Sequence, residues 1–576
     1  MFILFDDARQ GGASPRLYRR PTDVVVATEF DEILPSLERI RAALRSGKHV
    51  AGYLAYEAGH ALDPKLAECA RRGEGPLLCF GLFDDFETPE LSSVLPSPDG
   101  AYVGAPQPRI SRPDYLRAAE EVREHLFAGD FYQANLTLGF DVAVAGNPLA
   151  VYARLRRSAL AGWGGVMLHD GIAVISLSPE QFFAIRDGTI EARPMKGTAP
   201  RRPSAALDDT EIQKLSTDEK QRAENLMIVD LMRNDLARIS VAGSVEVPDL
   251  FKVETYPTVH QMVSRITSRL RTECDAVDVL RTIFPCGSVT GAPKIAAIGA
   301  LRQLEPEPRG AYTGSMGWIE PGGDAAFNVL IRTLEWRLAE RKARLGLGSG
   351  LVVDSNPSDE WDECLLKGDF VRREAQDFDL IETMRLDPSE GIIDLDRHLD
   401  RMRNSAADLD FKFDRHAARN ELQAATFGRK QRAMVRLLLS RSGAMAIQVK
   451  PYDDPTDLPV RVAVRPLPVE PDDFRLRYKT TDRRFLDVAR QQEKAYETIF
   501  FDQEGMLTEG SRTSLFVERD GRLLTPPLSR GLMPGILRAK LIEEGRAEEA
   551  ELTPADLEGG FYIGNVVRGL IPAKLA

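Results

Sequence analysis

Short apolar runs alternate with charged stretches along the first hundred residues of the chain. Between Ile33 and Arg45 the apolar positions follow helical spacing, which predicts an amphipathic helix. The largely apolar run His49–Tyr56 predicts a strand. The segment Pro96–Pro113 is rich in Pro, Gly and Ser and predicts a connector.

The same alternation continues to about residue 367. Helical spacing predicts helices over Asp114–Phe127, Glu219–Asp235 and Asp275–Ile283. Shorter apolar runs predict strands over Leu136–Val144, Gly165–Leu168, Ala173–Leu177 and Phe182–Ile185. Around residues 368–378 a charged stretch precedes a new strand signal, and we expect a domain boundary there. Strands and helices that alternate throughout indicate α/β or α+β domains.

Composition narrows the class of protein. A length of 576 residues predicts several units or two large ones. The net charge of −12 argues against a nucleic-acid partner, which usually demands a basic face. The chain has five cysteines and no C-x-x-C pair, which argues against a disulfide framework or a zinc site. We therefore expect a protein of the reducing cytoplasm. No apolar run reaches the roughly 18 residues of a membrane helix, so no membrane span is predicted.

Ionisable residues of the first two thirds suggest an acid–nucleophile pair. Lys196 lies 16 positions after Glu180. Brought into one pocket, a Glu and a Lys can divide the acid and nucleophile roles. Glu360 and Glu363 are three apart on one predicted helix face, and Glu224 lies in another helix. Carboxylates that meet across a cleft suit Mg²⁺, although solvated helix faces carry the same pattern.

Two glycine clusters are weaker signals. Gly287–Lys294 superficially resembles a phosphate loop but does not satisfy G-x-x-x-x-G-K-[ST], so a turn with a surface lysine stays open. The cluster Gly346–Gly350 predicts a tight turn in preference to a ligand loop.

Several motifs taken in order resemble the chorismate-binding enzymes over roughly residues 110–370. They are Gly129–Asn135, Ser178–Glu180, Pro194–Thr198, Ala223–Met227, Asp230–Asp235, His260–Ser264, Gly287–Lys294, Arg309–Gly314, Phe327–Thr333 and Gly348–Glu363. The resemblance implies a two-sheet α/β fold that binds chorismate with Mg²⁺, which Glu224, Glu360 and Glu363 hold or flank. It also implies substrate contacts from His260, Thr290, Tyr312, Arg332, Gly348, Gly350 and Lys367. The family often has a second acid three residues before Glu224, where this chain has Gln221.

Lys196 points to one branch of that family. With a lysine at this position, the chain resembles the aminodeoxychorismate synthases, whereas the corresponding position in anthranilate synthases resembles an alanine. The resemblance implies covalent catalysis: Lys196 attacks ring carbon C2 while Glu180 acts as the acid for the hydroxyl that leaves C4, and ammonia then adds at C4. This requires a neutral amine, so we expect a depressed pKa at Lys196.

No cysteine lies in a Gly-rich elbow typical of a glutaminase. Ammonia is therefore expected from solution or from a separate glutamine amidotransferase subunit. Residues 1–110 resemble the N-terminal part of the same synthases, and residues 111–370 form the expected catalytic region.

The last third, residues 376–576, carries a second lysine. Lys479 is followed 30 residues later by Glu509, and the run 525–538 opens a predicted helix. These segments, with His398–Met402, resemble class IV aminotransferase-fold enzymes. The resemblance implies Lys479 as the Schiff-base lysine of pyridoxal 5'-phosphate and Glu509 at its pyridine nitrogen. It also implies phosphate contacts from Arg401, Ile536, Leu537 and Asn565, and a substrate contact from Thr383.

Class IV enzymes include branched-chain and D-amino-acid aminotransferases as well as aminodeoxychorismate lyases. The fusion favours the lyase, because the product of the first domain would be its substrate and 4-aminobenzoate and pyruvate its products. A true transaminase, an anthranilate synthase-like first domain and an inactive scaffold stay open. We also expect a homodimer through the last third, whose first strand is missing or supplied from upstream.

Overall fold

The computed structural model describes residues 1–255, 259–452, 454–455, 457–493 and 495–576. It divides into two compact units. The first comprises residues 1–96, 105–142 and 152–374, and the second comprises 97–104, 143–151 and 375–576. Within the described segments, no helix combines the length and hydrophobicity needed to cross a bilayer.

Two ten-stranded sheets are built mainly from residues of the first unit. The first sheet contains Phe2–Asp6, Arg16–Arg19, Tyr102–Val103, Gln107–Pro108, Gln133–Ala145, Trp163–His169, Ile172–Ser178, Gly291–Ala292, Thr333–Arg337 and Lys342–Leu351. The second contains Asp23–Ala27, His49–Leu54, Leu78–Phe83, Gln181–Arg186, Thr189–Ala192, Met195–Pro200, Glu246–Thr255, Val259–Arg269, Ser315–Ile319 and Ala325–Asn328. The sheets pack face to face, because one buried cluster joins Ile3 and Met167 of the first to Tyr53 and Met316 of the second.

Helices cover the second sheet. The helices of the described chain up to residue 374 are Ile33–Arg45, Arg112–Ala128, Pro148–Ala159, Ala205–Thr217, Glu219–Ala237, Ala276–Ile283, Lys294–Leu304, Pro357–Lys367 and Asp369–Arg372. Ile33–Arg45 buries Leu37 and Ile40 against this sheet, as its helical spacing predicts. Glu219–Ala237 packs Ile228 and Met232 into the same cluster.

The second unit has two sheets of its own. A four-stranded sheet contains Leu380–Asp387, Gly391–Ile392, Ala433–Leu439 and Met445–Pro451. An eight-stranded sheet contains Val460–Pro466, Glu497–Phe501, Leu507–Gly510, Ser514–Arg519, Arg522–Thr525, Ala547–Glu549, Phe561–Asn565 and Gly569–Leu575. Its helices are Leu395–Asp408, Arg415–Thr426, Phe474–Arg477, Arg484–Gln491 and Ile536–Glu543.

Upstream residues complete the core beside the four-stranded sheet. Tyr102, Ala143 and Ala145 are buried in the same cluster as Leu399 and Val435. The Tyr102 hydroxyl donates to the carbonyl of Leu409 at 2.5 Å. These segments add side chains to the core, and no described upstream strand pairs with that sheet.

Two candidate active sites

A β-bulge aims the side chain of Lys196. The pairing of strand Met195–Pro200 with Val259–Arg269 shifts register between Met195 and Thr198. Gly197 has φ +94° inside this irregularity, a conformation that favours glycine. A bulge re-aims the residues beside it, and Asn225 Nδ2 holds the Lys196 carbonyl at 3.3 Å.

The glycine cluster 346–350 forms part of strand Lys342–Leu351, so the predicted tight turn is wrong. A Cβ placed on Gly346 would lie 2.2 Å from the Tyr312 ring. One on Gly350 would lie 2.8 Å from Lys196 Nζ and 2.4 Å from Gln133 Nε2. The glycines therefore serve close packing of functional side chains on the strand, a role the sequence alone could not separate from a turn.

Glu180 is buried and Lys196 is partly buried, and their surroundings shift their pKa values in opposite directions. Burial raises the pKa of Glu180 to about 7, against the opposing effects of a 2.7 Å hydrogen bond from Ser288 Oγ and of Lys196 and Lys367. Burial also lowers the pKa of Lys196, helped by Lys367 and opposed by Glu224, Glu363 and Glu180. An acid that keeps its proton near neutrality thus accompanies an amine that loses one more readily.

Three glutamates surround this pair. Glu224 lies on helix Glu219–Ala237, and Glu360 and Glu363 on helix Pro357–Lys367. Burial raises the pKa of Glu224, and Glu360 and Glu363 raise it further. Burial also acts upward on the pKa of Glu363, but Lys367 at 2.7 Å and the more distant Lys196 outweigh it, so that pKa is lowered.

The donor chemistry of these glutamates suits Mg²⁺, because their carboxylate oxygens are hard ligands that interact electrostatically with one another. Their side chains are already engaged, however. Glu360 accepts from Ser355 Oγ at 2.7 Å and Glu363 pairs with Lys367. In the described chain, no three His, Cys, Asp or Glu side chains lie close enough together to hold one ion.

Three further predicted substrate contacts are Arg332, Lys367 and Tyr312. Among the described residues, no acidic side chain pairs with the Arg332 guanidinium, and burial alone lowers its pKa. Lys367 Nζ donates to the Gly348 carbonyl at 2.8 Å, which holds this ammonium beside strand Lys342–Leu351. Tyr312 is buried against Gly346 of the same strand.

Two other predicted contacts are engaged by the protein itself. His260 Nε2 lies 2.8 Å from Asp208 Oδ1 and its Nδ1 lies 3.0 Å from Thr255 Oγ1. The Thr290 hydroxyl donates to the carbonyl of Cys286 at 3.1 Å. Both ring nitrogens of His260 and the hydroxyl hydrogen of Thr290 are therefore already engaged.

Lys294 belongs to a partly buried ion pair. Its Nζ lies 2.6 Å from Asp235 Oδ2 and 2.9 Å from the Ile283 carbonyl. Gly287–Val289 does form a turn, but Lys294 is not a free surface lysine, and its ammonium is equally unavailable for a phosphate.

Lys479 and Glu509 form the centre of a second site. Burial lowers the pKa of Lys479 to about 7, helped by the nearby Arg401. Burial raises the pKa of Glu509 to about 8, although its Oε1 accepts from the Met533 N–H at 2.9 Å. A carboxyl whose charge is so poorly compensated can accept a cationic partner such as a protonated pyridine nitrogen.

Arg401 lies at the N-terminus of helix Ile536–Glu543. Its Nη1 donates to the Pro534 carbonyl at 3.0 Å, and Nε and Nη2 donate to the Glu382 carboxylate at 2.8 and 2.7 Å. The first N–H groups of a helix lack intrahelical partners, so those of Ile536 and Leu537 can bind an anion together with Arg401. This cradle fits the phosphate of pyridoxal 5'-phosphate.

Glu382 and His398 were missed by sequence reasoning. Glu382 is 2% exposed, and His398 Nδ1 lies 2.6 Å from its Oε2. Side chains alternate between the two faces of strand Leu380–Asp387, and Glu382 lies on the face whose apolar residues are buried in the core. A buried acid needs buried hydrogen-bonding or charged partners. An acid on the apolar face of a predicted strand is therefore the sequence feature that could have identified Glu382.

Asn565 and Thr383 have other surroundings. Asn565 Nδ2 donates to the Arg512 carbonyl, and its Oδ1 accepts from Val567 and Arg568 N–H, all at 3.1 Å. The amide therefore organises its own loop. Thr383 is partly buried on the face of its strand opposite Glu382.

A chorismate binding enzyme model matches residues 9–373, more than half of the chain. The chain belongs to the chorismate-binding enzyme family. In this chorismate-binding enzyme, residues 379–576 match a second model, amino-transferase class IV.

Relatives and solved structures agree with that membership. An aminodeoxychorismate synthase component 1 from Salmonella typhimurium is 43% identical over 262 residues, which cover 45% of this chain and 57% of the relative. An anthranilate synthase component 1 from Methanothermobacter thermautotrophicus is 35% identical over 349 residues, covering 57% and 74%. A crystal structure of anthranilate synthase component I from Streptococcus pneumoniae shares the fold, with TM-score 0.51, 24% identity and coverage of 64% and 90%. The chorismate-binding enzyme spans little more than half the length of the first of these relatives.

Proposed function

We propose that this chain makes 4-aminobenzoate from chorismate and ammonia in two reactions. The first unit converts chorismate to 4-amino-4-deoxychorismate. The second unit eliminates pyruvate from that product. The observation that carries the proposal is the placement of Lys196, whose pKa is depressed, within electrostatic reach of the buried Glu180, whose pKa is raised.

The first reaction follows from the protonation states of this pair. The neutral Lys196 amine adds to ring carbon C2, both ring double bonds shift, and the C4–O bond breaks as Glu180 gives its proton to the departing oxygen, which leaves as water. Ammonia then forms a bond to C4 while the C2–N bond to Lys196 breaks. The added ammonia loses a proton to Glu180, which restores the acid.

Substrate binding is assigned to two cations of the first unit. Chorismate carries two carboxylates, and Arg332 and Lys367 carry the positive charge that such groups pair with. Glu224, Glu360 and Glu363 would hold Mg²⁺ once Lys367 exchanges Glu363 for a substrate carboxylate. The ion would neutralise carboxylate charge there.

The second reaction is assigned to Lys479. Pyridoxal 5'-phosphate, when bound, supplies the electron sink for breaking a C–H bond beside the substrate nitrogen. Arg401 and the backbone of Ile536 and Leu537 would hold its phosphate, and Glu509 its pyridine nitrogen. The freed Lys479 amine takes the proton from ring carbon C4 and later returns one to the methylene carbon of the departing enol-pyruvate.

Ammonia is proposed to come from a separate glutamine amidotransferase subunit. The name of the Salmonella relative, component 1, supports a second component for that relative. Free ammonium at high concentration should substitute for such a subunit.

One incubation tests the proposal. The full chain is mixed with chorismate, Mg²⁺, ammonium and pyridoxal 5'-phosphate, and products are read by mass, beside Lys196→Ala and Lys479→Ala. We expect 4-aminobenzoate and pyruvate from the unmodified chain, no amination from Lys196→Ala, and accumulated 4-amino-4-deoxychorismate from Lys479→Ala. Accumulation in the unmodified chain would indicate a transaminase-like second unit. Anthranilate would contradict the role given to Lys196.

A further inference from the structure

The two carboxylate oxygens of Glu180 have different surroundings. Oε1 accepts a hydrogen bond from Ser288 Oγ at 2.7 Å. Oε2 has no hydrogen-bond partner among the described residues, and these residues do not fully enclose it. One oxygen is therefore anchored to the protein, and the other remains accessible to a ligand.

Ser288 is itself held by a second hydrogen bond. It lies in the buried 3₁₀ turn Gly287–Val289, and Cys286 Sγ lies 3.2 Å from its hydroxyl oxygen. Burial raises the pKa of the Cys286 thiol to about 12, with Glu180 adding to the effect. The thiol thus keeps its proton and donates to Ser288 Oγ, whose own hydrogen points to Glu180 Oε1.

We propose that Ser288 is a positioning residue that fixes which oxygen of Glu180 carries the acid proton. With Oε1 occupied as an acceptor, the proton lies on Oε2, the oxygen accessible to the departing C4 hydroxyl. Ser288 touches neither the substrate nor the reacting atoms and acts only through Glu180. The inference rests on the proposed function, in which Glu180 protonates that hydroxyl.

Loss of the Ser288 hydroxyl has two consequences. The carboxyl can rotate and carry its proton on either oxygen, which should lower kcat for amination roughly 10- to 100-fold with little change in KM for chorismate. The Ser288 bond also opposes the rise in the pKa of Glu180. Without it that pKa rises further, so the decline of the rate at alkaline pH moves to higher pH.

The test compares Ser288→Ala and Ser288→Thr in the full chain. The matched control is Ser240→Ala, which removes a buried hydroxyl bonded to the Leu236 carbonyl and to Ser268 Oγ. Chorismate amination is followed across pH, and thermal unfolding confirms that each variant folds. We expect a lower kcat and a displaced alkaline limb in Ser288→Ala, substantial recovery in Ser288→Thr, and an unchanged profile in Ser240→Ala.

Different failures identify different errors. If the unmodified chain aminates chorismate and Glu180→Gln abolishes this, an unchanged Ser288→Ala profile overturns only the role of Ser288. A folded Ser288→Thr as slow as Ser288→Ala, or an equal loss in Ser240→Ala, also contradicts that role. If the unmodified chain produces no aminated product, the proposed function fails and the inference fails with it.

Discussion

At the scale of single residues, burial moves the ionisable groups of the first site in opposite directions. Water stabilises charge, so its exclusion favours the neutral forms of both Glu180 and Lys196. Their mutual attraction opposes this shift without reversing it. The sequence predicts an acid and an amine as the reacting groups. It cannot establish how far they are removed from water, which depends on the bulge at Gly197 and on strand Lys342–Leu351.

The pH dependence of amination follows from these shifts. Glu180 must be protonated to act as an acid and its pKa is about 7, so kcat/KM should fall as pH rises above about 7. Lys196 must be neutral, so the rate should also fall toward acid pH. Glu180→Gln should remove the alkaline limb and lower the rate roughly 10²- to 10⁴-fold. Persistence of the same limb in Glu180→Gln would assign it to another group.

Gly350 provides a steric test of the first site. A Cβ there would lie 2.8 Å from Lys196 Nζ, so Gly350→Ala should displace the amine and strongly reduce amination. The matched control is Gly299→Ala, because Gly299 lies in helix Lys294–Leu304 with open space around its Cβ position. The control should keep full activity, with helix stability increased by roughly 0.5–1 kcal/mol. Product mass and thermal unfolding measure both, and equal amination by the two variants would contradict the packing argument.

At the scale of secondary-structure elements, the regular spacing of apolar residues predicts a helix correctly, whereas local glycine content does not predict the type of element. Helix Ile33–Arg45 matches its predicted bounds because its apolar positions have one partner face. The glycines of Gly346–Gly350 predict a turn, but the segment is a strand. The prediction fails because glycine permits close packing as well as tight turns. Motif order predicts the Lys479 site, whereas the buried contacts of Glu382 depend on His398 and Arg401, which lie on another element.

Glu382 links a strand to the phosphate cradle through Arg401. Glu382→Gln should loosen the guanidinium, because it replaces a bidentate charge-assisted contact with a weaker one. We expect affinity for pyridoxal 5'-phosphate to fall roughly 10-fold or more, as for loss of a hydrogen bond to a charged group. Equilibrium titration by absorbance measures it.

The control variant changes an ion pair between helices Leu395–Asp408 and Ile536–Glu543, the first of which carries Arg401. Glu543→Gln weakens an exposed ion pair with Arg397, and exposed pairs contribute little. It should leave cofactor affinity unchanged. A Glu382→Gln variant that binds the cofactor as tightly as Glu543→Gln would show that Arg401 needs no such support.

At the scale of the whole molecule, the second unit depends on residues far upstream in the chain. Tyr102 packs its ring 5.7 Å from those of Phe378 and Phe474 and accepts from Arg441 at 2.6 Å. Tyr102→Ala should therefore destabilise this unit by about 3–5 kcal/mol, as for other large aromatic truncations. Urea unfolding followed by cofactor absorbance measures the change.

A matched variant separates packing from chemistry. Tyr132 is 70% exposed, so Tyr132→Ala removes the same side chain without opening a core. It should leave the cofactor-monitored transition unchanged. A similar midpoint for both variants would mean that the second unit folds without its upstream residues.

The path of the chain through residues 97–104 and 143–151 also constrains how such a protein can evolve. A single break in the gene near residue 375 would give two products, and the shorter one would lack three side chains of its own core. Fission into independent genes would require compensating substitutions in the same lineage. Once the chain had acquired this path, the joining of its two halves became difficult to reverse.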